Sequence, residues 1–200
     1  MPTGTQIRDA RRQLLDAAER ILLRDGPSAL TSRAVTTEAG CAKGVLHKRF
    51  ADFDAFLAEL VDDRVARIED QATALRRSAG TGGVADNLTG ALIDLFDPVT
   101  VAVVSLIIFR DELRARLRRT RPPHSIPVLA EARAMIARYL TDECEMGRIA
   151  TDADTDSLAL ALIGAGHLLF TARDGTPPAA GAVGEVVTTI VADVVQRRLL

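Results

Sequence analysis

The stretch that decides the fold is RRQLLDAAERILLRDGPSALTSRAVTTEAGCAKGVLHKRFADFDAFLAEL, residues 11–60. From residue 5 to residue 24 apolar side chains recur at spacings of three and four, which predicts an amphipathic helix. Gly26 and Pro27 end it, because glycine suits a left-handed cap and proline cannot continue a helix. Thr31 or Ser32 can cap a second helix that runs to residue 39. Gly40 then makes a tight turn, and a third helix covers residues 42–50.

The second and third helices have the spacing of a helix-turn-helix, in which the second helix of the pair enters the major groove of DNA. Either Val45 or Leu46 can pack the third helix against the second, and Phe50 would anchor its end in the core. The exposed side would then carry a small basic cluster of Lys43, His47 and Lys48, since residues three and four apart share a face. Such a cluster on a chain of net charge −2 suits a phosphate contact, although a solvated helix face has the same composition.

Residues 11–60 resemble the N-terminal domain of the TetR family of transcriptional regulators. The shared features are the Ala17-Ala18 pair, Gly26, Thr31, the Ala39-Gly40 turn, Gly44, Leu46 and Phe50. The resemblance covers about a quarter of the chain. It implies a helix-turn-helix DNA-binding domain at residues 1–51 and an effector-binding and dimerisation domain at residues 52–200.

The resemblance also implies a role for individual residues of the DNA-binding domain. The implied DNA-binding set is Thr31, Ser32, Arg33, Ala42, Lys43, Gly44, Val45, His47 and Lys48. Within it we expect Lys43 to address bases and Lys48 to address a phosphate.

Two positions depart from the family pattern. His47 stands where the family usually has tyrosine, and a histidine there either donates to a phosphate or makes a hydrogen bond inside the domain. Phe53 stands where a lysine often lies, so we expect one phosphate contact to be missing.

The remainder of the chain predicts further helices and no sheet, so the fold class is all-α. One predicted helix is capped by Asp52 and runs to about residue 78, and others span residues 84–96, 99–119 with a break near Phe109, and 128–146. Residues 151–156 lead into a further helix that runs to about residue 172, and a closing helix spans residues 183–199. Three prolines make residues 121–127 a linker. Residues 99–109 are rich in β-branched side chains and could form a strand, but a lone strand would leave its backbone groups unsatisfied.

Composition limits the class of protein. With 48% hydrophobic and 26% charged residues the chain reads as soluble and globular. Cys41 and Cys144 lie far apart, which suggests reduced thiols. We expect a cytoplasmic protein with no membrane partner, because no signal peptide is recognisable and the longest apolar runs are shorter than the ~20 residues of a spanning helix.

The last two predicted helices are apolar enough to form an interface with a second copy of the chain. Residues 158–170 are apolar nearly all round, and the final helix carries seven valine and isoleucine residues. The resemblance implies a homodimer through these helices, and an intramolecular core is the alternative.

The resemblance further implies a pocket for a small effector, which the apolar composition predicts to be mostly lipophilic. The candidate lining residues are Phe56, Leu60, Leu92, Phe96, Val104, Ile108, Phe109, Met135, Tyr139, His167 and Phe170. Each could also belong to the core. His167 is the best single candidate, although a buried histidine bonded to a carbonyl would give the same sequence pattern.

Catalytic and metal-binding signatures are missing from the sequence. Asp152, Asp154 and Asp156 are spaced as in a calcium loop, but the glycine and glutamate that such a loop needs are absent, so helix capping explains them better. We therefore expect no enzyme, cofactor or metal. The sequence predicts a repressor that a small effector releases from double-stranded operator DNA. The rival class is an all-helical enzyme or ligand-binding module that does not bind DNA.

Overall fold

The computed structural model describes residues 4–42, 44–120, 126–171 and 176–197, with side chains from residue 10 onward. Over these residues the fold is all-α, as predicted, with ten α-helices and no strand. They are α1 (Gly4–Asp25), α2 (Ser32–Glu38), α3 (Gly44–Arg49), α4 (Phe53–Ser78), α5 (Val84–Leu95), α6 (Pro98–Phe109), α7 (Asp111–Leu117), α8 (Pro127–Glu145), α9 (Thr155–Thr171) and α10 (Ala180–Arg197).

The ends of the first three helices follow from local chemistry. Gly26 follows α1 with φ of +78°, a conformation that glycine adopts without strain, and a short 3-10 turn begins at Pro27. Thr31 is the N-cap of α2. Helix α3, the second helix of the predicted helix-turn-helix pair, is shorter than predicted, because Ala42 precedes its first residue and Phe50 lies beyond its last.

Residues 99–109 are helical, so the prediction against a strand is confirmed. The predicted break near Phe109 is also confirmed, since Arg110 lies outside α6 and is the N-cap of α7. Pro127 belongs to α8 and not to the predicted linker, because the first turn of a helix tolerates a residue without an N–H. Helix α10 begins three residues before the predicted start at residue 183.

The chain forms two compact units. The first contains residues 1–63 and 102–124, which we call the head unit, and the second contains residues 64–101 and 125–200, which we call the body unit. The boundary after residue 51, drawn from the family resemblance, remains a prediction about functional domains.

In the head unit, α1 packs on α2 and α2 packs on α3. Ala17 and Ala18 are fully buried, and small side chains allow close approach of the helices at this point. The buried apolar set of this unit is completed by Leu14, Leu15, Ile21, Leu22, Leu30, Val35, Leu46, Phe56, Leu57, Leu60, Val61, Val103, Val104, Leu106, Ile107, Leu113 and Leu117.

In the body unit, α8 packs on α9, and α10 packs on α5 and α9. One face of α10 is buried inside the chain itself, through Val183, Val187, Val191 and Val194. In the acidic run before α9 the predicted capping is confirmed for Asp154, whereas Asp152 pairs with Arg197 and Asp156 pairs with Arg133. Asp154 accepts hydrogen bonds from the backbone N and the Oγ of Ser157 at 3.0 and 2.6 Å, which lowers the pKa of its carboxyl.

Among the described residues no single helix is long and apolar enough to cross a membrane. One bent pair, Val84–Leu95 with Pro98–Phe109, reaches that length and composition only when its two helices are taken together.

Candidate functional site

The recognition helix α3 has one buried and one exposed side. Leu46 is fully buried, while Gly44, His47 and Lys48 are exposed and Val45 is half-buried. Leu46 is therefore the residue that seats α3 on the core, which resolves the choice left open by the sequence. The position of Lys43, the predicted base-reading residue, lies outside the described residues.

Aromatic contacts fix the end of α3, as the sequence predicted for Phe50. The ring of Phe50 meets the buried ring of Phe56 edge to face, with centroids 5.2 Å apart. Phe56 belongs to α4, so this contact joins the recognition helix to the helix that follows it. The contact anchors the C-terminal end of α3 against α4.

The turn between α2 and α3 is a Schellman motif centred on Gly40. Cys41 N donates to Thr36 O at 2.9 Å and Gly40 N donates to Thr37 O at 3.1 Å, with φ of +64° at Gly40. Because this backbone conformation favours glycine, the sequence alone located the turn correctly.

The start of α2 presents the other predicted DNA-binding residues. Thr31 Oγ1 accepts from Ala34 N at 3.1 Å, which leaves the hydroxyl hydrogen available to an acceptor such as a phosphate oxygen. Arg33 is exposed and Ser32 is half-buried. A surface cleft of about 570 Å³ lies between α1 and α2, and its lining includes Thr31, Arg33 and Thr37.

An ion-pair network that sequence reasoning missed holds α1 to α2. The carboxylate of Glu38 accepts hydrogen bonds from Arg20 Nε at 2.8 Å and from Arg24 Nη1 at 3.0 Å. Hydrogen bonds from these two arginines lower the pKa of the Glu38 carboxyl. The spacing of four between the arginines on one helix was the available signal, but the sequence does not identify Glu38 as their partner.

Phe53, in the first turn of α4, packs against two neighbouring side chains. Its ring stacks with Phe56 at 5.7 Å between centroids, and the guanidinium carbon of Arg110 lies 5.3 Å from its centroid. Arg110 Nε also reaches Asp54 Oδ1 at 2.7 Å. The start of α4 is thus bonded to a residue 56 positions later in the chain, a contact that the sequence did not predict.

Most of the predicted effector-pocket residues are buried. In the head unit Phe56, Leu60 and Val104 are buried, Ile108 is half-buried and Phe109 is 82% exposed. In the body unit Leu92, Phe96, Met135 and Tyr139 are buried, while His167 and Phe170 are half-buried.

The hydroxyl of Tyr139 is already bonded within the body unit. Asn87 Nδ2 donates to Tyr139 Oη at 3.0 Å, and a further hydrogen bond joins that hydroxyl to the buried carboxylate of Glu143. Glu143 pairs with Arg148 at 2.9 Å and accepts from Gly80 N at 3.3 Å. Burial and the neighbouring carboxylate raise the pKa of Tyr139 well above its usual value. This network ties the turn after α4 to the end of α8.

The imidazole of His167 differs from the Tyr139 hydroxyl in its hydrogen bonding. Its Nδ1 is buried, and among the described residues it has no hydrogen-bond partner. The imidazole lies 6.3 Å from the ring of Phe96, which stacks on Phe170 at 5.4 Å. Burial lowers the pKa of His167, so the neutral imidazole is favoured. An apolar, aromatic environment with one unbonded nitrogen is what a mostly apolar ligand with one polar group requires.

Helix α9 leaves an apolar stripe on the surface of the chain. Leu160 is 59% exposed and Leu168 is 68% exposed, with the exposed Gly164 midway between them on the same helical face. Exposed apolar stripes of this kind are typical of protein interfaces.

A helix-turn-helix with an exposed basic side, joined to a body of apolar helices, defines the class of the protein: an all-helical DNA-binding regulator. Comparison with known proteins names the family. Residues 14–60 match the family described as bacterial regulatory proteins, tetR family. Among curated proteins none matches the sequence.

Solved structures share the fold over nearly the whole chain. A candidate TetR-family regulator from Mesorhizobium loti is 18% identical, with 98% of each chain covered and a TM-score of 0.67. FadR from Bacillus subtilis, in complex with stearoyl-CoA, is 16% identical, with 92% of this chain and 98% of that chain covered and a TM-score of 0.67. A gamma-butyrolactone receptor described as ArpA-like is 20% identical, with 97% and 100% covered and a TM-score of 0.60. At identities of 16–20% these similarities show a shared fold and do not by themselves establish function.

The resemblance to the TetR family is thereby confirmed. Residues 14–60 are a TetR-family helix-turn-helix domain, and the whole chain shares the fold of solved TetR-family regulators.

Proposed function

We propose that the protein is a cytoplasmic, homodimeric repressor that a small, mostly apolar effector releases from its operator. The observation that carries the DNA-binding part is α3 itself, which buries Leu46 and exposes Gly44, His47 and Lys48. In a helix-turn-helix these exposed positions face the major groove and the adjoining phosphates. Thr31 and Arg33, exposed at the start of α2, would contact the backbone beside it.

Operator binding requires two copies of α3. Two half-sites about one DNA turn apart, roughly 34–36 Å, are read by a symmetric dimer. The apolar stripe of Leu160, Gly164 and Leu168 on α9 supports dimerisation through the last two helices. The half-buried Val186, Ile190 and Val195 of α10 add apolar surface there.

The effector site that we propose is centred on Phe96, His167 and Phe170. The stacked rings of Phe96 and Phe170, with the tilted imidazole of His167 beside them and its unbonded Nδ1, suit a lipophilic molecule with one hydrogen-bond donor. The complex of FadR with stearoyl-CoA, and a relative in fold that receives a gamma-butyrolactone, support an amphipathic or lipophilic effector for this chain. An effector shifts DNA affinity only by its differential affinity for two conformations of the protein.

The test is titration of duplex DNA from upstream of the protein's own gene, at two salt concentrations. A retarded dimeric complex that weakens with salt is expected. Lys48→Ala should weaken binding to all sequences, whereas Lys43→Ala should weaken operator binding and relax base choice. Arg138→Ala, which removes an exposed charge from α8, is the control and should leave affinity unchanged. No binding of the wild-type protein to any duplex would favour the rival class, an enzyme or ligand-binding module.

A further inference from the structure

The charge of the head unit depends on a segment from the middle of the chain. Residues 1–63 hold 9 Lys/Arg and 10 Asp/Glu, a net charge of −1, although this part contains the helix-turn-helix. Residues 102–124 hold 6 arginines and 2 acidic residues, a net charge of +4. The head unit as a whole is therefore +3, while the body unit has 10 basic and 15 acidic residues and is −5. The inserted segment reverses the sign of the head unit.

This segment is bonded to the chain just after the recognition helix. Arg116 pairs with Asp52, and Arg110 pairs with Asp54. Asp52 is also the N-cap of α4, since its Oδ1 accepts from Ala55 N at 2.6 Å, and it lies three residues after the end of α3. Helix α7 is consequently held at the junction of α3 and α4.

Arg110 and Arg116 neutralise the two carboxylates that follow α3. Unpaired aspartates beside the recognition helix would repel the phosphates of a bound duplex. The two ion pairs remove that repulsion without themselves adding a positive surface.

The positive surface comes from the C-terminal end of α7. Arg118 and Arg119 are both exposed, and neither makes an ion pair with any residue that the structure describes. Arg118 is turned along its own helix, where its Nε donates to Arg114 O at 3.3 Å. Arg118 is the C-cap of α7 and Arg119 follows it, so they come two and three residues after Arg116, whose side chain reaches Asp52 at the α3–α4 junction.

We propose that Arg118 and Arg119 form a second contact of the protein with the DNA backbone, to phosphates flanking the bases that α3 reads. The partner is the phosphate backbone of duplex DNA, because contiguous exposed guanidiniums in an otherwise acidic protein match its charge. The contact carries no sequence information and adds affinity and salt dependence. It rests on the operator binding described above.

The test measures the salt dependence of DNA affinity for Arg118→Gln/Arg119→Gln. Each phosphate contact contributes about 0.9 to the slope of log affinity against log salt, and the proposed dimer carries both arginines twice, so the slope should fall by up to about 3.6. Arg77→Gln/Arg138→Gln removes the same charge from exposed positions of the body unit and should leave the slope unchanged. Arg118→Lys/Arg119→Lys keeps the charge and should keep most of the slope, which controls for misfolding.

Duplex length provides a second readout. Trimming base pairs from both ends of the operator should lower the DNA affinity of the wild-type protein. The affinity of the double glutamine variant should stay the same, because that variant has already lost the flanking contact.

An unchanged slope in the glutamine variant, with wild-type binding intact and Lys48→Ala defective, overturns this proposal alone. If the wild-type protein does not bind DNA at all, the proposed operator binding is itself wrong. If the glutamine variant binds DNA as well as the wild-type protein does but no longer binds vesicles of anionic phospholipid, the arginines act at a membrane surface. That result would also overturn the proposal.

Discussion

Gly166 lies where α9 passes the ring of Phe96. A Cβ built on Gly166 would come within 2.5 Å of Phe96 Cε2, closer than packed atoms approach. The ring is buried and stacks on Phe170, so making room disturbs the surrounding core. The sequence showed a Gly-Ala-Gly run in α9, but which glycine faces a neighbour depends on the packing.

Gly166→Ala should therefore destabilise the protein by about 1–3 kcal/mol, the usual cost of overpacking. Gly90→Ala on α5 is the matched control, because nothing lies within 4 Å of the place that its new methyl group would take. Removing a glycine from a helix interior should stabilise the control by roughly 0.5–1 kcal/mol. Urea unfolding at one protein concentration measures both variants, and equal stabilities for the two would contradict the contact with Phe96.

His167 should make stability depend on pH. Burial lowers its pKa from the ordinary value of 6.5, so between the lowered value and 6.5 the unfolded chain binds more protons than the folded one. Stability then falls as pH falls through 6.5, since the unfolded state is favoured by the proton it takes up.

The matched variant is His167→Gln, which removes the titration and keeps a polar side chain. The loss of unfolding free energy between about pH 7.5 and about pH 5.5 should be smaller for this variant than for the wild-type protein. The same carboxylates titrate in both proteins, so the difference isolates His167. Identical pH profiles would show that His167 is equally accessible to protons in both states.

At the scale of elements, the junction of α5 and α6 is fixed by Asp97. Its Oδ1 accepts from Thr100 N at 2.6 Å and so caps α6, and its Oδ2 pairs at 2.9 Å with Nη1 of Arg64 on α4. Arg64 is only 4% exposed, so this pair retains part of the charge interaction that water would screen.

Asp97→Asn retains an oxygen that can cap α6 and removes the charge opposite Arg64, whereas Asp97→Ala removes both. The alanine variant should be the less stable by about 1 kcal/mol, the usual contribution of an N-cap. Chemical denaturation of the two variants and the wild-type protein gives the comparison. If alanine and asparagine cost the same, the capping hydrogen bond contributes nothing.

Element positions were largely predictable because their signals are local. The break at Arg110, the capping by Thr31 and the glycine turn at Gly40 follow from residues within a few positions of each other. The start of α3 was placed two residues too early, because its first turn has no capping side chain that marks it in the sequence.

At the scale of the whole molecule, the apolar stripe on α9 should control assembly. Replacing both Leu160 and Leu168 by glutamate should convert the proposed dimer to a monomer, because each protomer would bury two charges without partners at the proposed interface. Sedimentation velocity measures the state, and DNA affinity should fall with it, because a monomer reads a single half-site.

The matched control is Leu23→Glu/Met146→Glu, which adds the same charge at two exposed apolar positions that do not belong to α9 or α10. It should remain dimeric. If the variant with glutamates on α9 remains a dimer, the interface lies on another surface of the protein.

Periodicity and capping along the chain were sufficient to establish the helices, the turn chemistry of the helix-turn-helix and the residues on the exposed side of α3. These signals act between residues that are close in sequence. The packed fold was needed to show that Glu38 receives Arg20 and Arg24, that Arg110 and Arg116 neutralise the start of α4, and that Leu160 and Leu168 are left exposed on α9. Those outcomes depend on which distant surfaces pack together, because an arginine or a leucine satisfies its local helix equally well with many different neighbours.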